Sequence, residues 1–294
     1  HRLMILVAVL TLSLLTAGAR GQAGQDAVPA TPPPFNEWLV ALTQEARERG
    51  FSESLVEQTL NGLEPLERVV ASDRAQAALN PGFNPYPSTG LTPAMVRRGQ
   101  ELSREPRALL ASVEREYDVQ RRFLLAIWGL ETRYGRVTGS TPVFQALATL
   151  AWEPRRATYF RGELFNALTM VQRGHIEARS MTGSWAGAMG QTQFMPSSYL
   201  DYAVDFDRDG RRDIWKSSGD ALASSANYLK GFKWNGDETW GREVQASTAA
   251  RAEIERSTPR RTEGCYALRN MTERRPLDEW RKIGVRLVGG NPLP

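Results

Sequence analysis

Residues 126–135, AIWGLETRYG, end an apolar helical pattern with a single carboxylate and a glycine. Glu131 follows a leucine directly and lies one helical turn after Trp128. Because apolar surroundings disfavour the ionised form of a carboxyl group, we expect a raised pKa for Glu131. A carboxylic acid that keeps its proton near neutral pH can act as the general acid in the cleavage of a glycosidic bond. The local pattern also fits a surface glutamate that is paired with Arg133 or Arg136.

The stretch GSWAGAMGQTQFMPS at residues 183–197 is the second informative segment. Its first eight residues include three glycines and two alanines, which let neighbouring backbone segments approach closely. Ser184 and Gln193 supply hydrogen-bonding groups, and Trp185 and Phe194 supply flat apolar faces. Sites for small molecules combine aromatic faces with a few polar groups, so this segment predicts a sugar-binding site. A tightly packed structural turn with a polar rim explains the same residues.

The composition limits the chemistry that this chain can perform. Its 294 residues are 41% apolar, which suits a globular protein with a sizeable core, and its formal net charge is +4. The single cysteine, Cys265, excludes a disulfide framework and a cysteine-based zinc site. Only His175 lies within the body of the chain, so a Ser-His-Asp hydrolase or a multi-histidine metal centre would depend on that one residue. We therefore expect carboxylates to carry any proton transfer. The chain contains no block of like charge long enough to suggest a nucleic-acid tail, and its small positive charge fits a cell-wall polymer or an anionic membrane surface as well as a nucleic acid.

The N-terminal residues have the pattern of an export signal. Arg2 precedes the uncharged, mostly apolar segment 3–17, and Ala-Gly-Ala at 17–19 matches the small residues of a cleavage site. An apolar run of about 15 residues is shorter than the roughly 20 that span a bilayer. We expect a signal peptide over residues 1–19, a proline-rich linker over residues 20–34, and export of the mature chain.

From residue 35 onward apolar residues recur at helical spacing, without a convincing run of alternating strands. We predict a mainly α protein. A small β element expected after Trp240 places it formally in the α+β class. Helices are predicted over Phe35 to Gly50, Ser52 to Leu60, Pro93 to about Glu116 with a break near Pro106, Gln120 to Glu131, Thr141 to Ala151, Arg156 to Arg173 and Asp220 to Phe232. Ser52 and Asp118 are the expected N-caps of two of these helices, and a break rich in proline and glycine covers residues 80–92.

Several ordered motifs identify a resemblance to a known family. The pattern Trp-Gly-x-Glu-Thr with a following glycine at 128–135, and the block at 183–197, resemble the lytic murein transglycosylases of the membrane-bound lytic transglycosylase B type. The resemblance runs from about Phe35 to the end of the chain. It includes the motifs ALATL at 146–150, PRR at 154–156, AVD at 203–205, ANYL at 226–229 and IGV at 283–285.

The resemblance implies a lysozyme-like catalytic core with an additional helical domain. The core is expected over residues 111–235, with an EF-hand-like loop at 205–216, after an N-terminal helical part at 35–110. A C-terminal part at 236–294 is expected to be shorter than in the family. Family members usually continue beyond this point with an asparagine- and tyrosine-containing segment that helps to line the cleft.

Members of this family cleave the β-1,4 bond between N-acetylmuramic acid and N-acetylglucosamine in peptidoglycan without water. The muramyl 6-hydroxyl attacks its own anomeric carbon and leaves a 1,6-anhydro end. The resemblance makes Glu131 the sole catalytic acid, which then acts as base on the 6-hydroxyl, and it implies that the chemistry requires no cofactor. An ordinary glycosidase needs a second carboxylate about 5 to 9 Å away, and the block at 183–197 contains none.

The resemblance also implies substrate contacts and partners. The residues that match family contacts are Ser184, Gln193, Phe194, Arg155, Arg156, Tyr159 and Tyr228. The two arginines can meet the lactyl or peptide carboxylates of the glycan strand, and structural salt bridges are the alternative for each of them. The implied partner is the peptidoglycan glycan strand in the bacterial periplasm, with a monomeric protein, peripheral or no membrane contact and no nucleic acid.

The segment DFDRDGRRD at 205–213 matches an EF-hand calcium loop at positions 1, 3, 5, 6 and 9. The predicted ligands are Asp205, Asp207, Asp209, the carbonyl of Arg211, and Asp220. Lys216 occupies the position of the usual bidentate glutamate, so we expect Asp220 to substitute and a structural Ca²⁺ to bind weakly. A metal-free, solvated acidic loop is the alternative.

Two other functions fit parts of the sequence. A non-catalytic peptidoglycan-binding relative fits a family-like chain that ends at Pro294, before the segment expected to complete the cleft. A calcium-responsive interaction protein built around the loop at 205–216 fits less well, because a sensor rarely relies on one such loop without a second.

Overall fold

The structure is a computed structural model that describes residues 32–78, 91–104, 108–237, 241–263 and 271–294. The described residues form two compact units, one ending at Gly236 and the other beginning at Asp237. Outside the described residues lie the predicted signal peptide at 1–19, linker residues 20–31, residues 80–90 of the predicted break, and Cys265.

The first unit is built from helices. In chain order they are α1 (Phe35–Glu48), α2 (Glu53–Leu60), α3 (Glu67–Ala78), α4 (Pro93–Arg104), α5 (Ala108–Tyr117), α6 (Arg121–Thr132), α7 (Val143–Trp152), α8 (Ala157–Gln172), α9 (Pro196–Tyr202) and α10 (Ser218–Gly231). Short 3₁₀ turns cover Pro154–Arg156 and Ala178–Ser180. The predicted mainly helical fold is confirmed. Within the described residues, the helices include none with the length and apolar character needed to cross a bilayer.

The local sequence explains where some of these helices begin. Ser52 accepts a hydrogen bond from the backbone N–H of Leu55 at 3.3 Å, as expected for the N-cap of α2. The predicted cap at Asp118 is wrong, because α6 begins at Arg121 and Gln120 occupies the N-cap position without a side-chain capping bond. Asp118 has instead a left-handed backbone with a φ of 56°, which its short polar side chain tolerates.

Two apolar clusters stabilise the first unit. The first cluster forms mainly between α1, α2, α7 and α8, and its fully buried members include Leu42, Leu60, Leu147, Leu150, Phe160, Leu164, Leu168 and Met170. The second cluster forms between α4, α5, α6 and α10 and includes Leu102, Leu124 and Trp128. Burial of each such side chain contributes about 1.5–3 kcal/mol. Helices from both sides of residue 110 belong to this unit, and the division predicted there stays a prediction.

A short antiparallel pair of strands connects the two motif regions. β1 (Thr141–Pro142) pairs with β2 (Thr182–Gly183), and Thr141 lies opposite Gly183. Because of this pairing, the start of the glycine-rich block at Gly183 lies beside the segment that follows α6. Sequence periodicity does not predict these strands, because two residues are too few to display alternation.

The second unit is described over residues 237, 241–263 and 271–294. It contains α11 (Thr248–Ser257), α12 (Leu277–Ile283) and the antiparallel strands β3 (Val244–Gln245) and β4 (Arg286–Leu287). The predicted small β element after Trp240 is thereby confirmed. Ser247 caps α11 by accepting from the N–H of Ala250 at 3.1 Å. Gly284 ends α12 with a φ of 97°, a left-handed conformation that favours glycine.

Candidate active site

Glu131 lies in the last turn of α6, the helix that contributes Leu124 and Trp128 to the second cluster. Burial raises the pKa of Glu131 to about 7, as the sequence predicts, and burial is the only cause of this shift. Among the described residues, no hydrogen bond or ion pair engages its carboxylate, and Arg133 and Arg136 are exposed. The alternative of a glutamate paired with one of these arginines is therefore not observed. Glu131 is a desolvated carboxyl group that can hold its proton near neutral pH.

The chain leaves α6 through a turn with three consecutive left-handed residues. Arg133, Tyr134 and Gly135 have φ values of 51°, 62° and 81°, and the first two carry a steric cost because they are not glycine. The Tyr134 side chain secures the turn, since its hydroxyl donates to the carbonyl of Met95 in α4 at 2.8 Å. Its ring also occupies the space beside Gly129, where an added Cβ would lie 2.7 Å from the ring. These contacts fix the end of α6.

The glycine-rich block folds back on itself directly after β2. The N–H of Ser184 donates to the carbonyl of Ala188 at 2.7 Å, and the Ser184 hydroxyl accepts from the N–H groups of Ala186 and Ala188 at 3.3 and 3.1 Å. An added Cβ at Gly183 would lie 2.2 Å from the carbonyl oxygen of Ala188, so this return requires glycine. The predicted close backbone approach is confirmed. Ser184 remains partly exposed while its hydroxyl braces the turn.

Gln193 connects the block to the chain after α6. Its side-chain nitrogen donates to the carbonyls of Thr138 and Gly190 at 3.2 and 2.9 Å, and its φ is 52°. These bonds use only the amide nitrogen. Because the residue is partly exposed, its side-chain oxygen is available as an acceptor for a ligand.

Gln191 is a connecting residue that the sequence reasoning missed. It binds the end of α6 twice: its backbone carbonyl accepts from Thr132 Oγ1 at 3.1 Å, and its side-chain oxygen accepts from Trp128 Nε1 at 2.9 Å. Its backbone N–H and its Nε2 donate to the carbonyls of Ile214 and Trp215 at 2.9 and 3.1 Å. A glutamine in a glycine-rich turn gives no local signal for partners that are 63 residues away.

Phe194 and Tyr228 lie in a different environment from the one expected. Their side chains are 1% and 2% exposed and belong to the first apolar cluster, with ring centroids 5.5 Å apart. Rings buried in this way present no open face, so the predicted sugar-stacking face at Phe194 is corrected to a position in the core. Trp185, the other aromatic residue of the block, packs against this core and is partly exposed.

Arg155 and Arg156 form the salt bridges that were the structural alternative to substrate binding. Both guanidinium groups bond to the carboxylate of Asp73 in α3, which is 1% exposed. Burial alone would raise the pKa of Asp73, but the hydrogen bonds and charges of the two arginines outweigh it and hold that pKa below its usual range. The arginine side chains remain 33% and 20% exposed, so each still reaches solvent.

Tyr159 and Arg156 both carry buried polar atoms. Within the described residues, the Nε of Arg156 meets no hydrogen-bond partner, although buried polar groups are normally paired. The Tyr159 hydroxyl lies close to the Glu163 carboxylate, and burial together with this carboxylate raises the pKa of the tyrosine. Glu163, one turn further along α8, accepts from the N–H and the hydroxyl of Ser197 at 2.9 and 2.6 Å.

Three predicted metal ligands converge in the loop between α9 and α10. Asp205, Asp207 and Asp209 each offer a carboxylate oxygen, and these oxygens lie within 4.8 Å of one another. The loop backbone is shaped around them, since the N–H groups of Asp209 and Gly210 donate to Asp205 at 3.1 and 2.9 Å. Three such oxygens suit a hard cation such as Ca²⁺.

Asp220 lies outside that group of three. It is fully buried and accepts from the N–H groups of Phe206 and Asp213 at 2.8 and 2.7 Å, which ties the two sides of the loop together. Burial raises its pKa despite these bonds. The ligand roles of Asp220 and of the Arg211 carbonyl stay predictions.

The chain is similar to proteins of known family. The family model of the transglycosylase SLT domain matches residues 34–294. The membrane-bound lytic murein transglycosylase B of Escherichia coli (strain K12) is 37% identical in an alignment of 202 positions, and the match covers 65% of this chain and 56% of that protein. The chain thus spans little more than half the length of this relative.

Solved structures of similar sequence support the same relationship. SltB3 from Pseudomonas aeruginosa, in complex with NAG-anhNAM-pentapeptide, has a TM-score of 0.76 and 40% identity, and the match covers 88% of this chain and 66% of that one. The Escherichia coli lytic transglycosylase Slt35, in complex with calcium, has a TM-score of 0.67 and 29% identity over 88% of this chain and 76% of that one. The predicted lysozyme-like, mainly helical fold is confirmed by these likenesses. With its family match over nearly all described residues, the chain belongs to the family of transglycosylase SLT domains.

Proposed function

We propose that the protein is a peptidoglycan lytic transglycosylase, which cleaves the β-1,4 bond between N-acetylmuramic acid and N-acetylglucosamine and leaves a 1,6-anhydromuramic end. The observation that carries the proposal is the Glu131 carboxyl group, whose pKa burial alone raises to about 7. Thr132, at the end of the same helix, donates a hydrogen bond to Gln191 in the segment 183–195. This segment contains no titratable side chain. Family membership supports the proposal, as does the similarity to SltB3, solved with NAG-anhNAM-pentapeptide.

One carboxyl group suffices because it acts twice. Protonated Glu131 donates its proton to the glycosidic oxygen, the bond from this oxygen to C1 of the muramyl sugar breaks, and N-acetylglucosamine leaves with a free 4-hydroxyl. The Glu131 carboxylate then takes the proton of the muramyl 6-hydroxyl as that oxygen bonds to C1. The acid is regenerated and no water is consumed, so neither a nucleophilic nor a second basic carboxylate is needed.

We assign substrate binding to the partly exposed members of the predicted set, which are Ser184, Gln193, Arg155, Arg156 and Tyr159. Asp73 holds both arginines in place before a ligand arrives, which lowers the entropy lost when they bind a lactyl or peptide carboxylate. Phe194 and Tyr228 are buried in the core, so we assign them no stacking contact with a sugar.

Digestion of purified, insoluble peptidoglycan tests the proposed function. We expect soluble muropeptides with anhydro ends, each one water lighter than the corresponding reducing-end product in mass spectrometry. Reducing-end products would contradict the transglycosylase reaction and indicate hydrolysis. Co-sedimentation with the polymer without any soluble product would instead favour a non-catalytic peptidoglycan-binding protein.

A second proposal is that the loop at 205–216 binds Ca²⁺ as a structural ion. The convergent oxygens of Asp205, Asp207 and Asp209 support it, and so does the similarity to Slt35, solved with calcium. The carbonyl of Arg211 and the carboxylate of Asp220 would complete the ligand set. Such an ion would hold the loop together, while the proton transfer at Glu131 requires no metal or other cofactor.

Calcium is therefore expected to stabilise the folded protein. At about 100 times its Kd, a ligand of the folded state adds about 2.7 kcal/mol, which corresponds to a rise in Tm of about 5–10 °C in a thermal-shift titration. The paired substitution Asp207→Asn and Asp209→Asn should remove the rise, and Asp201→Asn, an exposed acid outside the loop, should retain it. Absence of a rise, or an equal rise in the paired variant, would contradict the site.

We propose export to the bacterial periplasm, where peptidoglycan is accessible. The signal-like pattern at 1–19 supports export, and the similar Escherichia coli protein is described as membrane-bound. We also propose a monomer whose partner is the glycan strand, with peripheral or no membrane contact and without nucleic acid.

A further inference from the structure

We propose that Gln191 is a positioning residue that clamps the last turn of α6 and thereby keeps Glu131 shielded from water and aligned for proton transfer. The inference rests on the proposed function of Glu131 and extends it by naming the side chain that maintains its surroundings. Gln191 acts through Trp128 and Thr132, which flank Glu131 in the helix.

The hydrogen-bond partners leave one orientation for the Gln191 amide. The Trp128 indole can only donate, so the side-chain oxygen of Gln191 faces it at 2.9 Å. The Trp215 carbonyl can only accept, so the Gln191 nitrogen faces it at 3.1 Å. Because Gln191 is 5% exposed and Trp128 is 8% exposed, removal of the amide leaves the Trp128 indole N–H buried without a substitute from bulk water.

The turn after α6 closes around this amide. An added Cβ at Gly135 would lie 2.6 Å from the side-chain oxygen of Gln191, so the glycine provides the room that the amide occupies. The hydroxyl of Thr132 donates to the backbone carbonyl of Gln191 and accepts from the N–H of Gly135, both at 3.1 Å. Gln191 therefore holds the end of the helix and its exit turn together.

This clamp controls the solvent access of the carboxyl group. Trp128 and Thr132 are 8% and 0% exposed. The Trp128 indole donates to the side-chain oxygen of Gln191, and the Thr132 hydroxyl donates to its backbone carbonyl. Since burial is the only cause of the raised pKa of Glu131, any loosening that admits water lowers that pKa.

Charged neighbours do not account for the shift. The titratable side chains on the helices packed against α6 are Arg97, Arg98, Glu101 and Arg104 on α4, Glu114, Arg115, Glu116 and Tyr117 on α5, and Asp220, Tyr228 and Lys230 on α10. No such group contributes to the raised pKa of Glu131 within the part of the chain that the structure describes.

The test measures the pKa of Glu131 by carboxyl-carbon NMR, with its signal assigned by its absence from Glu131→Gln. We expect a pKa near 7 in the unsubstituted protein. Gln191→Met has a similar length without the amide, and it should lower this pKa by about one unit. The alkaline limb of the cleavage rate against pH should move equally, so activity near pH 8 falls about tenfold while activity near pH 5 changes little.

Two further variants separate positioning from general stability. Trp128→Phe removes the same hydrogen bond from the other side and should lower the Glu131 pKa as well, so the test does not depend on one variant. Thr149→Val is the matched control, because it removes a buried hydroxyl that accepts from the N–H of Leu66 at 3.0 Å in contact with the first cluster. It should leave the Glu131 pKa and the pH profile unchanged.

An unchanged Glu131 pKa in both Gln191→Met and Trp128→Phe would overturn the inference, even if activity fell evenly at every pH. Failure of the proposed function has a different signature, namely retained cleavage by Glu131→Gln or no product from the unsubstituted protein. The NMR titration remains readable in either case, because it does not require activity.

Discussion

Glu131→Gln is expected to abolish the release of anhydromuropeptides while leaving the fold intact. Glutamine preserves the shape of the side chain but can neither donate nor accept the transferred proton. General acid–base catalysis contributes about 10²–10⁴-fold to a rate, and here one group carries both proton transfers, so we expect a loss at the upper end of that range. Initial rates of muropeptide release, compared at equal concentrations of folded protein, measure it.

Glu163→Gln provides the matched control for this loss. Glu163 is also a buried carboxyl group whose pKa burial raises, but its oxygens are engaged by Ser197. We expect this variant to keep most of its cleavage activity at some cost in stability. Retained cleavage in Glu131→Gln, or an equal loss in Glu163→Gln, would show that the acid has been assigned to the wrong residue.

The substitution Glu131→Gln is also expected to stabilise the protein at alkaline pH. The pKa of Glu131 is about 7 in the folded state, against an ordinary value of 4.5 for a glutamate in water. Between these values the folded state binds more protons than the unfolded state, so the free energy of unfolding falls as pH rises through this window. The full cost, roughly 3 kcal/mol, is present above pH 7, where the half-buried carboxylate is ionised. Glutamine has no charge to bury and escapes this cost.

Urea unfolding of the two proteins at several pH values measures this effect. The variant should exceed the unsubstituted protein by up to about 3 kcal/mol near pH 8.5, and the difference should nearly vanish near pH 4.5. The acidic measurement serves as the internal control for packing changes. A difference that is the same at both pH values would mean that Glu131 is not held with a raised pKa. Such a gain in stability at the expense of activity is common where a site keeps a group in unfavourable surroundings.

The raised pKa of Glu131 could be predicted from sequence because part of its surroundings is local. Ile127 and Trp128 precede it at the four- and three-residue spacings that define a helical face. The close return of the glycine-rich block was also predictable, since the small residues between Gly183 and Gly190 allow backbone segments to approach closely.

Contacts between distant segments could not be predicted in this way. The partner of Arg155 is Asp73, which is 82 residues away, and nothing near Asp73 distinguishes it from an exposed helical aspartate. Phe194 likewise packs against Tyr228 of α10, which is distant in sequence. The connecting role of Gln191 could not be predicted from sequence, because its four hydrogen bonds join three segments that only the folded chain brings together.

The claim that the substrate supplies the nucleophile can be tested most directly by cleavage in water enriched in ¹⁸O. Mass spectrometry of the released muropeptides reports whether the newly formed muramyl end carries an oxygen from solvent. Attack by the muramyl 6-hydroxyl predicts anhydro ends that contain no ¹⁸O. Muramyl ends that contain one ¹⁸O atom would mean that water attacks C1, and they would contradict a mechanism in which Glu131 is the only carboxyl group required.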